Sequence, residues 1–335
     1  ISKLKSLNFF KSVKSEIIDG KEDGFNIINL SVEEKATGEI MAGAGTGTSG
    51  GSLTAGVKEN NYLGKGIKVD SGFTITEETL KGNFFVKNPN YNNTDKSLYF
   101  NAQAIEVDRL STTGYKSNKQ GLSIGTEFEY LDDLSLGMSF DNFYERISVD
   151  SNASARQKAQ KGNYWDTFVE LDFFYDKRNY VYDPTDGFFS QYSVGLPLIS
   201  ETNTLTNTYN YKVFTELYEN NVTSASFLLK TANSITGDDV KLSERLYIPA
   251  AKLRGFESGK VGPKDGSDYI GGNYVSSINL TTTVPQAFEQ LQTVDIGVFF
   301  DAANVWGVDY DSSISDNSKI RSSIGIGLDW KSAIG

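Results

Sequence analysis

The residues of this chain that invite a chemical reading are carboxylates and one arginine. Asp166, Glu170, Asp172 and Asp176 fall on one side of an alternating segment. Paired acids of that kind run glycoside hydrolysis without any other side-chain chemistry. Four of them at this spacing on a single strand fit a solvated wall better than a catalytic pair. Arg254 stands in Leu253-Arg254-Gly255-Phe256, a cation between two apolar anchors. It lies within a Gly-rich stretch, about 244 to 272, that has no strand or helix period of its own. Structureless loops longer than roughly 12–15 residues are uncommon and are usually functional or disordered. Downstream, the polar side of an alternating strand presents Asp295 and Asp301. An arginine on a loop and aspartates on a facing wall point to a loop tucked inside a barrel.

Composition narrows the chemistry further. The 335 residues include no His and no Cys. Triads built on histidine, disulfides, thiolate metal sites and His-ligated metals are therefore excluded. No catalytic residue, metal site or cofactor is expected. Asp and Glu outnumber Lys and Arg by 43 to 32, a net charge of −11, which argues against a nucleic-acid groove. No run of 18 apolar residues is present. The first residues, Ile1-Ser2-Lys3-Leu4-Lys5, do not form a signal peptide. Neither observation bears on a membrane β-barrel, whose strands need only about 9–11 alternating residues.

The elements that must position Arg254 are strands. Leu122, Ile124, Thr126, Phe128 and Tyr130 alternate with Gly121, Ser123, Gly125, Glu127 and Glu129. The same period of two runs through Trp165–Tyr175, Tyr274–Val284, Val294–Phe300 and Ile320–Trp330. Aromatic residues cluster near strand ends, and carboxylates occupy the polar faces. A dry sandwich core would not tolerate those charges unpaired, whereas a water-filled lumen would. The spacing predicts fourteen strands: 37–46, 50–58, 65–76, 80–87, 96–108, 119–131, 133–147, 163–176, 187–197, 207–219, 222–234, 272–284, 292–302 and 319–330. Tight turns at Asp132 and Asn220-Asn221 contrast with long connections at 148–162 and 234–271, as if short turns lined one rim and long loops the other. An edge left open in lipid is not viable, so closing strands beyond Gly335 are expected, about 14 strands of a probable 16. Gly43, Gly45, Gly47, Gly50 and Gly51 fall within nine residues at the start of the pattern. Glycine weakens strands and permits bending.

Residues 1–36 read differently. Leu4, Leu7 and Phe10 have helical spacing, and Ile28, Leu30 and Val32 then alternate as a strand. This resembles the C-terminal part of a small α/β domain, the alternative being a short N-terminal extension packed on the barrel, with the barrel occupying 37–335.

Several stretches occur in a family-specific order. They are Leu4-Lys5-Ser6-Leu7-Asn8-Phe9-Phe10-Lys11 with Val32-Glu33-Glu34-Lys35, the Gly-rich first strand from Thr37-Gly38-Glu39-Ile40 through Gly50-Gly51, and Glu59-Asn60-Asn61-Tyr62-Leu63-Gly64-Lys65-Gly66. Asp176-Lys177-Arg178-Asn179 with Pro184-Thr185-Asp186-Gly187 follows, then Leu253-Arg254-Gly255-Phe256. Phe300-Asp301-Ala302-Ala303-Asn304-Val305-Trp306 and Gly325-Ile326-Gly327-Leu328-Asp329-Trp330 complete the set. In this the chain resembles BamA-type outer-membrane assembly factors, within the superfamily that includes TamA and two-partner-secretion transporters. Ala303 stands where that pattern often has Gly, and Ala333 where it usually has Pro.

The resemblance implies a transmembrane antiparallel barrel preceded by the tail of the last POTRA domain on the periplasmic side of a bacterial outer membrane. It implies that Arg254 pairs with Asp301, with Asp295 and Asp329 in reserve. It further implies a lateral gate at the Gly-rich first strand, unfolded outer-membrane protein clients, accessory lipoproteins and outer-membrane lipid as partners. Rival readings are a two-partner-secretion transporter or passive porin, a carboxylate enzyme, and a soluble β-sandwich adhesin.

Overall fold

The computed structural model describes residues 9–20, 26–47, 50–181, 184–217, 221–284, 294–309, 314, 316 and 318–330. A hairpin comes first, β1 (Phe10–Asp19) against β2 (Asn26–Glu34). The strand expected around Ile28–Val32 is therefore present. The helix expected across 1–12 is not supported where it can be seen, because Phe10 opens β1 and pairs with Glu34. Three apolar residues at helical spacing do not outweigh a full antiparallel ladder. Leu4 and Leu7 lie outside the described residues.

The wall follows as a meander: β3 (Gly38–Gly47), β4 (Gly50–Tyr62), β5 (Ile67–Thr76), β6 (Thr79–Asn88), β7 (Ser97–Arg109), β8 (Tyr115–Leu131) and β9 (Leu134–Val149). It continues with β10 (Gly162–Asp176), β11 (Gly187–Ser200), β12 (Thr204–Thr215) and β13 (Thr223–Ser234). A long loop with the two-residue strands β14 (Lys264–Asp265) and β15 (Asp268–Tyr269) precedes β16 (Tyr274–Val284), β17 (Val294–Trp306) and β18 (Arg321–Trp330). Apart from β14 and β15, each strand from β3 onward pairs antiparallel with its neighbours in one 14-stranded sheet whose edges are β3 and β18. The fourteen strands match the alternating segments of the sequence one for one.

Side-chain burial follows the pleat. Leu122 and Ile124 are exposed on the outer face while Ser123 and Gly125, which alternate with them, are buried. Ile324, at 78 % exposure, and Ile326 and Leu328 beside it show how bare the outer face is of protein cover. In a membrane barrel those residues meet lipid tails, and the lumen takes the polar set.

Some lumenal glycines have a packing reason. A Cβ at Gly121 would lie 2.1 Å from the Phe143 ring, one at Gly125 2.3 Å from Tyr99, and one at Gly325 2.5 Å from Phe299. In each case an aromatic of the adjacent strand occupies the space a Cβ would need and covers the bare backbone.

The expected contrast between rims holds only in part. The rim opposite the N-terminal hairpin carries the long connections 149–162, 234–274 and 306–321, but also the short 76–79 and 200–204 turns. The hairpin's own rim includes the tight 131–134 turn and the longer 176–187 connection. That connection is ordered by its motif. Arg178 forks onto Asp176, Nε to Oδ1 at 2.8 Å and Nη2 to Oδ2 at 2.6 Å. The Asn179 Oδ1 accepts the N–H groups of Tyr180, Thr185 and Asp186. Gly187 then enters β11 at φ +93°, with its would-be Cβ 2.1 Å from the Lys177 carbonyl oxygen. Gly187→Ala combines positive φ with a backbone clash. It is expected to cost well over about 1 kcal/mol, the scale of a compatible glycine substitution, and to lower the temperature at which the folded, heat-modifiable band disappears on electrophoresis.

Candidate functional site

The segment between β13 and β16 folds into the lumen and is held at three places. At the rim, Arg245 donates from Nη1 to Asn273 Oδ1 at 2.7 Å and from Nη2 to Asp309 Oδ2 at 3.2 Å. Asp309 also accepts from Asn273 Nδ2 and from the Val240 N–H, so the loop is tied to the chain after β17.

Deeper, Lys241 is completely buried and surrounded by carboxylates. Its Nζ lies 2.5 Å from Asp166 Oδ2 on β10, 3.0 Å from Glu145 Oε2 on β9 and 3.3 Å from Glu244 Oε1 on the loop itself. Hydroxyls satisfy the remaining lone pairs. Ser243 donates to Glu145 at 2.9 Å, Ser200 to Asp166 at 2.5 Å, and Thr204 to Glu244 at 2.6 Å, while Ser117 also donates to Glu145. The Tyr164 ring lies 4.9 Å from the ammonium. The 149–162 connection contributes a short helix, α1 (Ala155–Ala159), capped reciprocally by Ser154 and Gln157. Gln160 next to it accepts the Leu242 N–H at 2.8 Å.

The third anchor is the Leu-Arg-Gly-Phe stretch. Leu253 is buried with Ile248, Val275, Ala303 and Val305, and Phe256 packs against that cluster. Both apolar anchors are thus engaged, and the methyl of Ala303 is part of the surface they grip. Gly255 adopts φ +84°, the left-handed turn that aims its neighbours in opposite directions. Arg254 forks onto Asp301, Nε to Oδ2 at 2.8 Å and Nη2 to Oδ1 at 2.7 Å, and its own N–H reaches Oδ2 at 3.0 Å. The guanidinium lies 3.6 Å from the Phe299 ring centroid, the same ring that covers Gly325. Asn279 completes the site, donating from Nδ2 to Asp301 Oδ1 at 2.9 Å and to the Lys252 carbonyl at 2.8 Å.

The structure therefore joins Arg254 to Asp301 and to Thr281, 3.3 Å from Nη2. Asp295 sits toward the other end of β17, opposite Asp329 in register; the Asp329 side chain lies outside the described residues. Gly43, Gly45 and Gly47 belong to the edge strand β3. Gly50 and Gly51 lie across the turn on β4, opposite Gly47 and Thr46, so the glycine cluster spans a hairpin rather than one strand. Of the four period-two carboxylates, Asp166 serves Lys241, Ser193 donates to Asp172, and Asp176 holds Arg178. Glu170 lines a lumenal cavity of about 630 Å³ with Asp141, Lys81 and Lys119. Lys241, Glu145 and Glu244 carried no signal in the sequence beyond the Lys241/Glu244 spacing of three.

Residues 61–335 match the family model of the Omp85 superfamily domain. The chain belongs to the Omp85 superfamily. Along 99 % of its length it is 22 % identical to the outer membrane protein assembly factor BamA of Neorickettsia risticii, of which it covers 46 %. Among solved folds, the crystal structure of BamA from Haemophilus ducreyi lacking POTRA domains 1–3 superposes with a TM-score of 0.81 at 23 % identity. That match takes in 99 % of this chain and 71 % of that one. CdiB from Acinetobacter baumannii gives a TM-score of 0.59 at 10 % identity, over 96 % and 60 % of the two chains. This Omp85 chain thus spans about half the length of the curated BamA relative, and its fold is that of a membrane β-barrel.

Proposed function

We propose that this chain is the barrel part of an outer-membrane protein assembly factor, working in a bacterial outer membrane. The observation that carries the reading is the similarity to BamA along 99 % of the chain. It includes the N-terminal hairpin, which precedes the residues matched by the family model. On this reading residues 1–36 are the tail of the last POTRA domain and face the periplasm. The partners are unfolded outer-membrane proteins and accessory lipoproteins of an assembly complex.

The chemistry is main-chain pairing, with no bond made or broken. An edge strand presents a row of unpaired N–H and C=O groups that templates an incoming strand. The β3 edge suits that role, because Gly43, Gly45 and Gly47 leave few side chains to resist displacement of a resident neighbour. A lateral gate between the first and last barrel strands would then be the entry point for clients. The loop, held by Lys241 to β9 and β10 and by Arg254 to β16 and β17, would brace those strands while that seam moves.

The test is folding of a urea-unfolded outer-membrane barrel into liposomes containing the full-length protein that carries this chain. Acceleration over empty liposomes is the expected result. No acceleration, together with ion conductance or export of a dedicated partner, would replace the reading with a transporter or porin.

A further inference from the structure

The outer face carries a built recess beside an isolated cation. Register places Gly82, Ala104, Gln120, Tyr144 and Trp165 in one row across β6 to β10. The next row toward the bilayer centre is Phe84, Ala102, Leu122, Asn142 and Thr167. Small residues in both rows leave a groove of about 490 Å³, floored by Gly82, Ala102 and Ala104. Leu122 and the adjacent rings of Tyr144 and Trp165, 6.2 Å apart, wall it. Its polar pair is satisfied internally, with Asn142 Nδ2 donating to Thr167 Oγ1 at 2.8 Å.

One row further toward the rim stand Asn118, Arg146 and Asn163, side by side in register and all exposed. Asn118 donates to Glu106, whose charge is already taken by Lys116 at 2.7 Å. Arg146 has no carboxylate partner among the described residues. The face is that of a membrane barrel, so what covers it is lipid. A cation set just above an aromatic girdle selects the headgroup, and the recess below it accommodates a chain.

We propose that this groove is a site for an anionic phospholipid, with one acyl chain on the Gly82–Ala102–Ala104 floor and the phosphate at Arg146 between Asn118 and Asn163. A guanidinium holds a phosphate through two parallel N–H bonds, which sets it apart from the surrounding bulk headgroups. The site is independent of the assembly role. It rests on the barrel lying in a bilayer and on these three rows.

Native mass spectrometry of the full-length protein that carries this chain, released from micelles doped with phosphatidylglycerol or with phosphatidylcholine of the same acyl chains, tests it. Phosphatidylglycerol adducts are expected to survive activation that strips phosphatidylcholine. Arg146→Gln should reduce that retention at least about fivefold, to the phosphatidylcholine level, and Ala104→Phe, which fills the floor, should abolish adducts of both lipids. Both side chains point outward, and heat-modifiable mobility verifies folding of each variant. Equal retention of the two lipids, or unchanged phosphatidylglycerol retention in Arg146→Gln, would overturn the proposal. So would a second copy of the chain bound in place of lipid.

Discussion

Lys241→Met is expected to be the most damaging single substitution in the loop. It removes the cation from a node in which Lys241, Glu145 and Asp166 are buried and Glu244 is nearly so, and leaves the three carboxylates facing one another. Breaking a buried pair by deleting one partner costs about 3–5 kcal/mol, and here three carboxylates lose the same partner. Lys119, on β8, also attracts Asp166 and Glu244, but its ammonium is engaged over the Phe143 ring. Glu244→Gln should behave in the opposite sense. It leaves Lys241 with two carboxylates, keeps an acceptor for the Thr204 hydroxyl, and relieves an excess of negative charge, so a change within about 1 kcal/mol is expected. Methionine matches the lysine stem in volume, which confines the difference to charge. The measurement is the temperature at which the folded band is lost on electrophoresis, with Lys241→Met, Glu244→Gln and the Lys241→Met/Asp166→Asn/Glu145→Gln triple variant compared. Neutralising the acids should restore much of the loss. A single Lys241→Met variant as heat-resistant as the native chain would show that the node does not fasten the loop.

Much of the architecture was legible because membrane strands announce themselves in a period of two. Most residues that face lipid are apolar while their neighbours are free to be polar, so the pleat is written largely into the sequence. Arg254 and Asp301 were legible through the resemblance, as members of two short motifs whose order fixes their meeting. Lys241 had no such mark. A lysine between Val240 and Leu242 looks like any surface lysine, and its partner Asp166 lies 75 residues away on a strand where it read as wall. Local periodicity carries no record of which loop enters the lumen at which height. The N-terminal misreading has a related cause, since Phe10 at helical spacing from Leu4 and Leu7 outvoted a ladder whose other strand begins only at Asn26. The glycine cluster illustrates a third limit, because composition shows five glycines together but only the turn shows which strand each belongs to.

The Arg254 anchor should respond asymmetrically to loss of its two halves. Asp301 is fully buried, whereas the Arg254 side chain is 34 % exposed. Arg254→Ala therefore strands a buried carboxylate, while Asp301→Asn leaves a guanidinium that water can partly solvate. The stranded carboxylate keeps Asn279 and one main-chain N–H. The expected cost of Arg254→Ala is accordingly about 3 kcal/mol, the lower end for a broken buried pair, and Asp301→Asn should cost clearly less. Arg254→Lys keeps charge but loses the fork and the contact with Phe299, and should fall between them. The loop offers its own reporter, since Lys252 precedes the buried Leu253. Trypsin cannot seat that bond while Leu253 and Arg254 are docked, because cleavage needs an extended segment free of its contacts. Limited proteolysis of the folded barrel should cut after Lys252 at least about tenfold faster in Arg254→Ala than in the native chain, with Asp301→Asn intermediate. If Arg254→Ala is cut no faster, Leu253 and the Lys241 node hold the loop alone, and the arginine has another role. Combining Arg254→Ala with Lys241→Met separates these cases. Two independent anchors, one on β9 and β10 and one on β16 and β17, would give additive losses, whereas a loop that leaves the lumen once either anchor fails would show little further loss from the second.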